Sequence, residues 1–123
     1  MSEDTFILEK RHKVVAIDGR KFVMREMGAE ELRNYSKALL EASRSLKASL
    51  ADKQDLESAM MEASETEIRL LLKLLKEPVD AARPADKAFL SDLSYSQRQA
   101  IFKVQDDLND MENLLKKMAS LLA

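Results

Sequence analysis

Cysteine is absent from this chain, so neither a disulfide nor a thiolate metal site can form, and a reducing compartment is the expected setting. The single histidine, His12, stands between Arg11 and Lys13 and reads as a solvated strand residue; a zinc site or a histidine-centred catalytic group would need partners the sequence does not hold. Glycine and proline number only 2 each in 123 residues, which excludes a turn-rich β sandwich. There is no glycine-rich phosphate loop, no nucleophile motif and no calcium-loop spacing of carboxylates. The run Asp106, Asp107, Asp110 and Glu112 reads as the wet face of a helix. The longest apolar run, residues 14–17, is far too short to span a membrane, and the start Met1-Ser2-Glu3-Asp4 is acidic where a signal peptide would be basic. Neither sign of charge dominates, and a net charge of -2 gives no general attraction for nucleic acid. The basic residues Lys10, Arg11, Lys13, Arg20, Lys21 and Arg25 are nearly balanced by Glu3, Asp4, Glu9, Asp18 and Glu26, and read as a solubilising strand edge. The expectation is a cytoplasmic, soluble, non-enzymatic protein with no cofactor, no nucleic acid and no membrane among its partners.

What remains is apolar and charged residues in helical order, 46% and 34% of the chain. The strongest pattern lies in residues 94–122. Ile101, Val104, Leu108, Met111, Leu115, Met118 and Leu122 recur at alternating spacings of three and four, which places them on one face of a helix and of no strand. Ser94 and Gln97 fit a capping box at its start. A continuous helix over 94–122 would be about 44 Å long at about 1.5 Å per residue. Leu114 and Leu121 widen its seam enough for the domain's own core and a partner.

Taken from the start, residues 1–11 are expected to be loose, although Phe6, Ile7 and Leu8 suit a short edge strand. Residues 12–27 read as a β-hairpin turning at Asp18-Gly19, with Val15 opposite Phe22 and with Ile17 and Met24 on the same face. A lone hairpin is marginal in water, so it must dock on helices or pair with another chain. Residues 29–76 are helical. Leu32, Tyr35, Leu39, Ala42, Leu46 and Leu50 form a first seam, and Asp52 is placed to cap a second helix that holds Leu56, Met60, Ala63, Ile68, Leu71, Leu72 and Leu75 inside. No Gly or Pro decides between one helix and two at residues 50–54. Residues 77–85, with Pro78 and Pro84, form the linker, and Asp86 is placed to cap a short helix before the terminal seam. The expected fold is mainly α with a small N-terminal β-hairpin (α+β). It is a single domain over 1–123, built as a helical bundle whose last part, 86–123, includes a long C-terminal helix. Met60, Met61, Met111 and Met118, with Leu115 and Leu122, are the candidate residues for a partner or for self-association, because methionine adapts to apolar surfaces of varied shape.

The run Val14-Val15-Ala16-Ile17-Asp18-Gly19-Arg20-Lys21-Phe22-Val23-Met24-Arg25-Glu26-Met27, followed by Ala29-Glu30-Glu31-Leu32-Arg33-Asn34-Tyr35, resembles the opening of bacteriophage tail assembly chaperones. Leu93-Ser94, Ile101-Phe102 and Gln105-Asp106-Asp107-Leu108-Asn109 are similar to the closing helix of that family. The chain departs from the pattern in residues 43–75, which are more charged, and at Lys76-Glu77, where the family often has Gly-Lys. The resemblance implies a non-enzymatic protein that keeps the long, apolar tape measure protein soluble in the host bacterial cytoplasm while tail tube subunits assemble, and that is absent from the mature virion. It also implies self-association along the target, and a longer product made by ribosomal slippage near Leu115-Lys116-Lys117. A bacterial coiled-coil adaptor or regulator that dimerises through its C-terminal helix is the other expectation, carried by the seam alone.

Overall fold

A computed structural model describes residues 5–6, 8–52 and 56–122. The fold is mainly α with a two-stranded antiparallel hairpin at its N-terminal side, as the periodicities imply. Strands β1 (His12–Ile17) and β2 (Arg20–Arg25) pair with Val15 opposite Phe22 and Ile17 opposite Arg20. The two turn residues both take positive φ, 46° at Asp18 and 81° at Gly19, which is the backbone twist a two-residue hairpin loop requires. Helices α1 (Ala29–Asp52) and α2 (Leu56–Leu74) follow. Tyr35 and Ala38 near the start of α1 face Leu70 and Leu74 near the end of α2, and Lys76 reaches Glu31 at 3.4 Å, so the pair is an antiparallel helical hairpin. The region 29–76 is therefore two helices. Asp52 closes the first of them, and the residues between, including Lys53 and Gln54, lie outside those described. So do Ile7 and the side chains of Leu46, Leu50 and Leu56.

Residues 77–85 are not a free linker. Glu77 accepts a hydrogen bond from the Val23 amide through its main-chain carbonyl, the Val79 amide donates to the Lys21 carbonyl, and both bonds measure 2.9 Å, so this segment adds a short bridge at Phe22–Pro78 to the open edge of β2. The Arg25 guanidinium grips the Glu77 carboxylate with two hydrogen bonds, 2.8 and 2.9 Å, and holds that carboxyl below its usual range. Farther along, Arg20 donates to the Pro84 carbonyl at 2.8 Å and lies over the Phe89 ring, 4.4 Å from its centre. Two prolines that signal a linker in sequence thus end a strap laid across the hairpin. Proline lacks an amide, so only its neighbours' polar groups are available to pair there.

Helix α3 (Lys87–Ser91) starts at Asp86, whose carboxylate accepts from the Phe89 amide at 2.8 Å. Helix α4 (Tyr95–Leu108) starts with the expected capping box between Ser94 and Gln97. Gln97 also donates to the Asp18 carboxylate at 2.9 Å, tying the start of α4 to the hairpin turn. Arg98 fastens three helices by donating to Ser64 of α2 and to the Ser91 carbonyl of α3 while standing 3.8 Å from Glu67. The core is one cluster. Ile17, Phe22 and Met24 of the hairpin meet Tyr35, then Ile68, Leu71 and Leu74 of α2 with Leu75 just after it, and Leu90, Leu93, Ile101 and Leu108. The hairpin meets its need for burial on the helices of its own chain.

The terminal seam departs from expectation. The helix expected over 94–122 is broken at Asn109–Asp110, and the remainder is a separate helix, α5 (Met111–Leu122). Asp110 takes a left-handed backbone with φ 56°, which Asp and Asn tolerate better than other side chains. Tertiary contacts hold the break in place. The Arg11 guanidinium donates to the carbonyls of Asp107 (3.3 Å) and Leu108, two of the orphan acceptors at the end of α4. Asn109 turns its side-chain oxygen inward to accept from the Met27 amide and from Gln105, both at 3.0 Å. Gln105, 1% exposed, also donates to the Arg25 carbonyl at 2.9 Å. Apolar spacing continues through the break because it reports only which face a residue would take in a helix. It does not register that the end of α4 is capped from the hairpin.

Candidate interaction surface

Helix α5 gathers most of the candidate residues. Met111 is half-buried against the break, whereas Leu115, Met118 and Leu122 are 59, 50 and 86% exposed and no residue of the helix is buried. Leu114 and Leu121 flank them and are exposed as well. The same seam upstream of the break is covered, with Ile101 and Leu108 in the core. The opposite face of α5 carries Glu112, Asn113, Lys116 and Lys117, with Lys116 paired to Glu112 one turn away at 3.2 Å. The helix begins on Asp110, whose carbonyl accepts from the Leu114 amide at 3.1 Å and whose carboxylate accepts from Asn113 at 2.9 Å. An amphipathic helix whose apolar face beyond Met111 stays exposed among the described residues is suited to lie against another apolar helix or groove.

Met60 and Met61 are elsewhere. Both are 61% exposed, which corrects the expectation that Met60 lies inside the second helix. Arg98 near the start of α4 meets Ser64, and Gln105 near its end shares a cavity with Leu70 and Leu74, so α2 and α4 run side by side in one direction. The methionine pair, before Ser64, lies toward the start of α4, and α5 leaves from its far end. Leu39 and Leu40 of α1 are also exposed, so the helical hairpin has apolar residues uncovered along it.

The cavity between α1, α2 and the hairpin has a volume of about 420 Å³, with Tyr35, Ala38, Leu70 and Leu74 on its walls and Lys10, Glu31, Lys73 and Glu77 among its charged residues. Tyr35 is 7% exposed and its hydroxyl is buried without a hydrogen-bond partner among the described residues. Burial, and secondarily the charge of Asp106, push its ionisation well above the usual value. Because the folded value is raised, Tyr35 contributes stability that is fully present below about pH 10, the ordinary tyrosine value, and is lost as pH rises toward the folded one. Tyr35→Phe is expected to leave neutral-pH stability unchanged or raise it by up to about 1 kcal/mol, since it removes an unpaired polar group. It should also flatten the fall in stability on the alkaline side of about pH 10. Denaturant titrations at neutral pH and on that alkaline side check both; a loss of about 1 kcal/mol or more at neutral pH would mean the hydroxyl is paired in solution.

Among the described residues no cluster of His, Cys, Asp and Glu could hold a metal ion, and no helix is long and apolar enough to cross a membrane. What sequence reasoning missed is the group Arg11, Gln105 and Asn109 that sets α5 apart from the body. Asn109-Asp110, a pair that tolerates left-handed backbone, was its one visible signal. Comparison of the chain with known protein families, with curated proteins and with solved structures finds no match.

Proposed function

We propose that this chain is a bacteriophage tail assembly chaperone, a non-enzymatic protein that binds the tape measure protein and keeps it soluble while tail tube subunits assemble. It would act in the host bacterial cytoplasm and be absent from the mature virion. The observation that carries the binding half of this reading is α5, a helix whose apolar face is uncovered from Leu114 to Leu122 beside a charged back. The choice of target rests on the resemblance of residues 14–35 and 93–109 to that chaperone family. A helix of this kind docks on an apolar helix through Leu115, Met118 and Leu122 while Glu112, Lys116 and Lys117 keep the outside wet. Each contact is weak, and copies that also touch one another add their affinities along a long target.

A coiled-coil adaptor would use the same residues differently. It needs a seam sustained over about three to four heptads. The break at Asn109–Asp110 interrupts the seam, and Ile101 and Leu108 upstream of it belong to the core, so the coating role fits better.

Replacing Leu115 and Met118 with Glu tests the proposal. Both side chains are exposed, so the double variant is expected to keep its far-UV helicity and its unfolding midpoint. It should lose both the concentration-dependent light scattering of the parent and the ability to hold a co-expressed apolar tape measure segment in solution. A double variant that still solubilises that segment would remove α5 from the mechanism, and a parent without effect on the segment would sink the chaperone role.

A further inference from the structure

A second interface lies at the open edge of β1, where we propose that this strand pairs with β1 of a second copy and closes a two-fold dimer. The Glu26 amide donates to the Arg11 carbonyl at 2.8 Å, and the two strands then pair without a bulge as far as the turn. Odd-numbered residues of β1 therefore bond to β2, while His12, Val14 and Ala16 turn their amides and carbonyls outward. Residues 77–79 close the outer edge of β2, whereas none of the described residues pairs with the outer edge of β1. The chain's own approach to the strand leaves that edge open. Arg11 is held on the β2 side, its amide by the Glu26 carboxylate and its carbonyl by the Glu26 amide, and Lys10 lies against Gly28. A regular, open edge is a template for another strand.

The edge is complementary to itself in one register. A two-fold axis through an antiparallel ladder sets one residue opposite its own copy. Centred on Lys13, the axis would place two ammonium groups directly across from each other, which destabilises a ladder. Centred on Val15, it would send His12 to Asp18, which lies in the turn with φ 46° and does not continue the strand. Centred on Val14, it pairs His12 with Ala16 and Val14 with Val14 of the second copy. Every outward amide of β1 then meets an outward carbonyl, and Lys13 lies opposite Val15 rather than another cation.

Both faces of the ladder gain cover. On the outer face Val14, 57% exposed, lies against its counterpart. On the other face a groove of about 460 Å³ runs between β1 and α4, walled by Val15, Ile17, Ala100, Ile101 and Val104. The axis brings the grooves of both copies to the same side of one continuous sheet, where they close against each other. The contact is small, at the weak end of protein interfaces, with a Kd of about 1 mM. It is closed and separate from α5, so an assembly that used both would link dimers into arrays.

Full-length L115E/M118E protein, with α5 silenced, isolates the edge; the light scattering lost with α5 is that of arrays, and the dimer stays. Its weight-average mass in sedimentation equilibrium should climb from the 14.0 kDa of the chain toward twice that value as the concentration passes about 1 mM. Amide exchange at His12, Val14 and Ala16 should slow about twofold where half the chains are paired, since only the unpaired edge exchanges. Adding Val14→Lys or Val14→Glu sets like charges across the axis, and each should weaken the pairing several-fold. Val14 is exposed and outside the core, so both variants should keep the parent's unfolding midpoint. An equal mixture of the two should pair about tenfold more tightly than either alone, because Val14 faces its own copy. A protein that stays at 14.0 kDa at about 1 mM overturns the proposal, as does pairing that Val14→Lys leaves unchanged. A mixture no tighter than its components overturns the register centred on Val14. Failure of the α5 contact leaves this dimer intact.

Discussion

Phe22→Ala is expected to lower the unfolding free energy by about 3–5 kcal/mol, the range found when a fully enclosed phenylalanine is cut to alanine. Phe22 is 0% exposed and sits where three parts of the chain meet. It lies opposite Val15 in the hairpin, it is bridged to Pro78 of the strap, and its ring centre is 6.0 Å from that of Phe89. Arg20 lies over the Phe89 ring and holds it in place, so neighbours have little room to collapse into the space left behind. Domains of this kind have only about 5–15 kcal/mol to lose, and the melting temperature should drop by roughly 10–20 °C. Thermal melts followed by circular dichroism measure this directly. A loss under about 1 kcal/mol would show that the helices fold without the hairpin, contrary to the single core described above. Phe6, with its ring in solvent, is the matching control, and its change to alanine should leave the melt unmoved.

Gln105→Ala should cost about 2–4 kcal/mol, from the cavity and from the acceptors it orphans. Its amide supplies hydrogen bonds to the Arg25 carbonyl and to the Asn109 side chain, so one residue joins the end of β2 to the break before α5. Gln105→Met separates the two causes. It retains most of the volume, so whatever loss persists belongs to the hydrogen bonds, about 1–3 kcal/mol. A second effect should accompany the first. With one of its two donors gone, Asn109 is held by the Met27 amide alone, beside the Arg11 contacts, and α5 should sample a wider range of positions. The chain has no cysteine, so spin labels introduced at the exposed positions Lys103 and Lys116 report that distance without background. Gln105→Ala should broaden the distribution. An unchanged distribution together with unchanged stability would mean that the inward-facing amides do not hold the break.

Local chemistry made much of this fold legible. The Asp18-Gly19 turn, the alternation that puts Phe22 and Met24 on one face, the Ser94 capping box and the Asp86 cap each depend on residues within a few positions of one another. Sequence displays such interactions because propensity and short-range geometry suffice to form them. The pattern of three and four also named the residues that end on one face of α5. It did not separate the covered half of the seam from the open half. Ile101 and Met118 occupy equivalent places in the pattern whether or not another element lies on top; here Ile101 is covered and Met118 is not.

Only the tertiary structure decided where the last helix breaks, because the groups responsible are far apart in the chain. Arg11 reaches acceptors 96 and 97 residues away, and Asn109 accepts from an amide 82 residues away. No local preference at Asn109-Asp110 compels a break, since both residues also occur within helices. The break is favoured once the end of β2 and the start of α1 present a donor there. The strap is a similar case. Pro78 and Pro84 mark an end to helix, while the placement of residues 77–79 on β2 depends on the Val23 amide and Lys21 carbonyl being left open by the hairpin. Composition and periodicity determined which residues had to be buried or capped. Which of them found cover within the chain, and which were left on α5 and at the edge of β1, followed from long-range hydrogen bonds that no local pattern encodes.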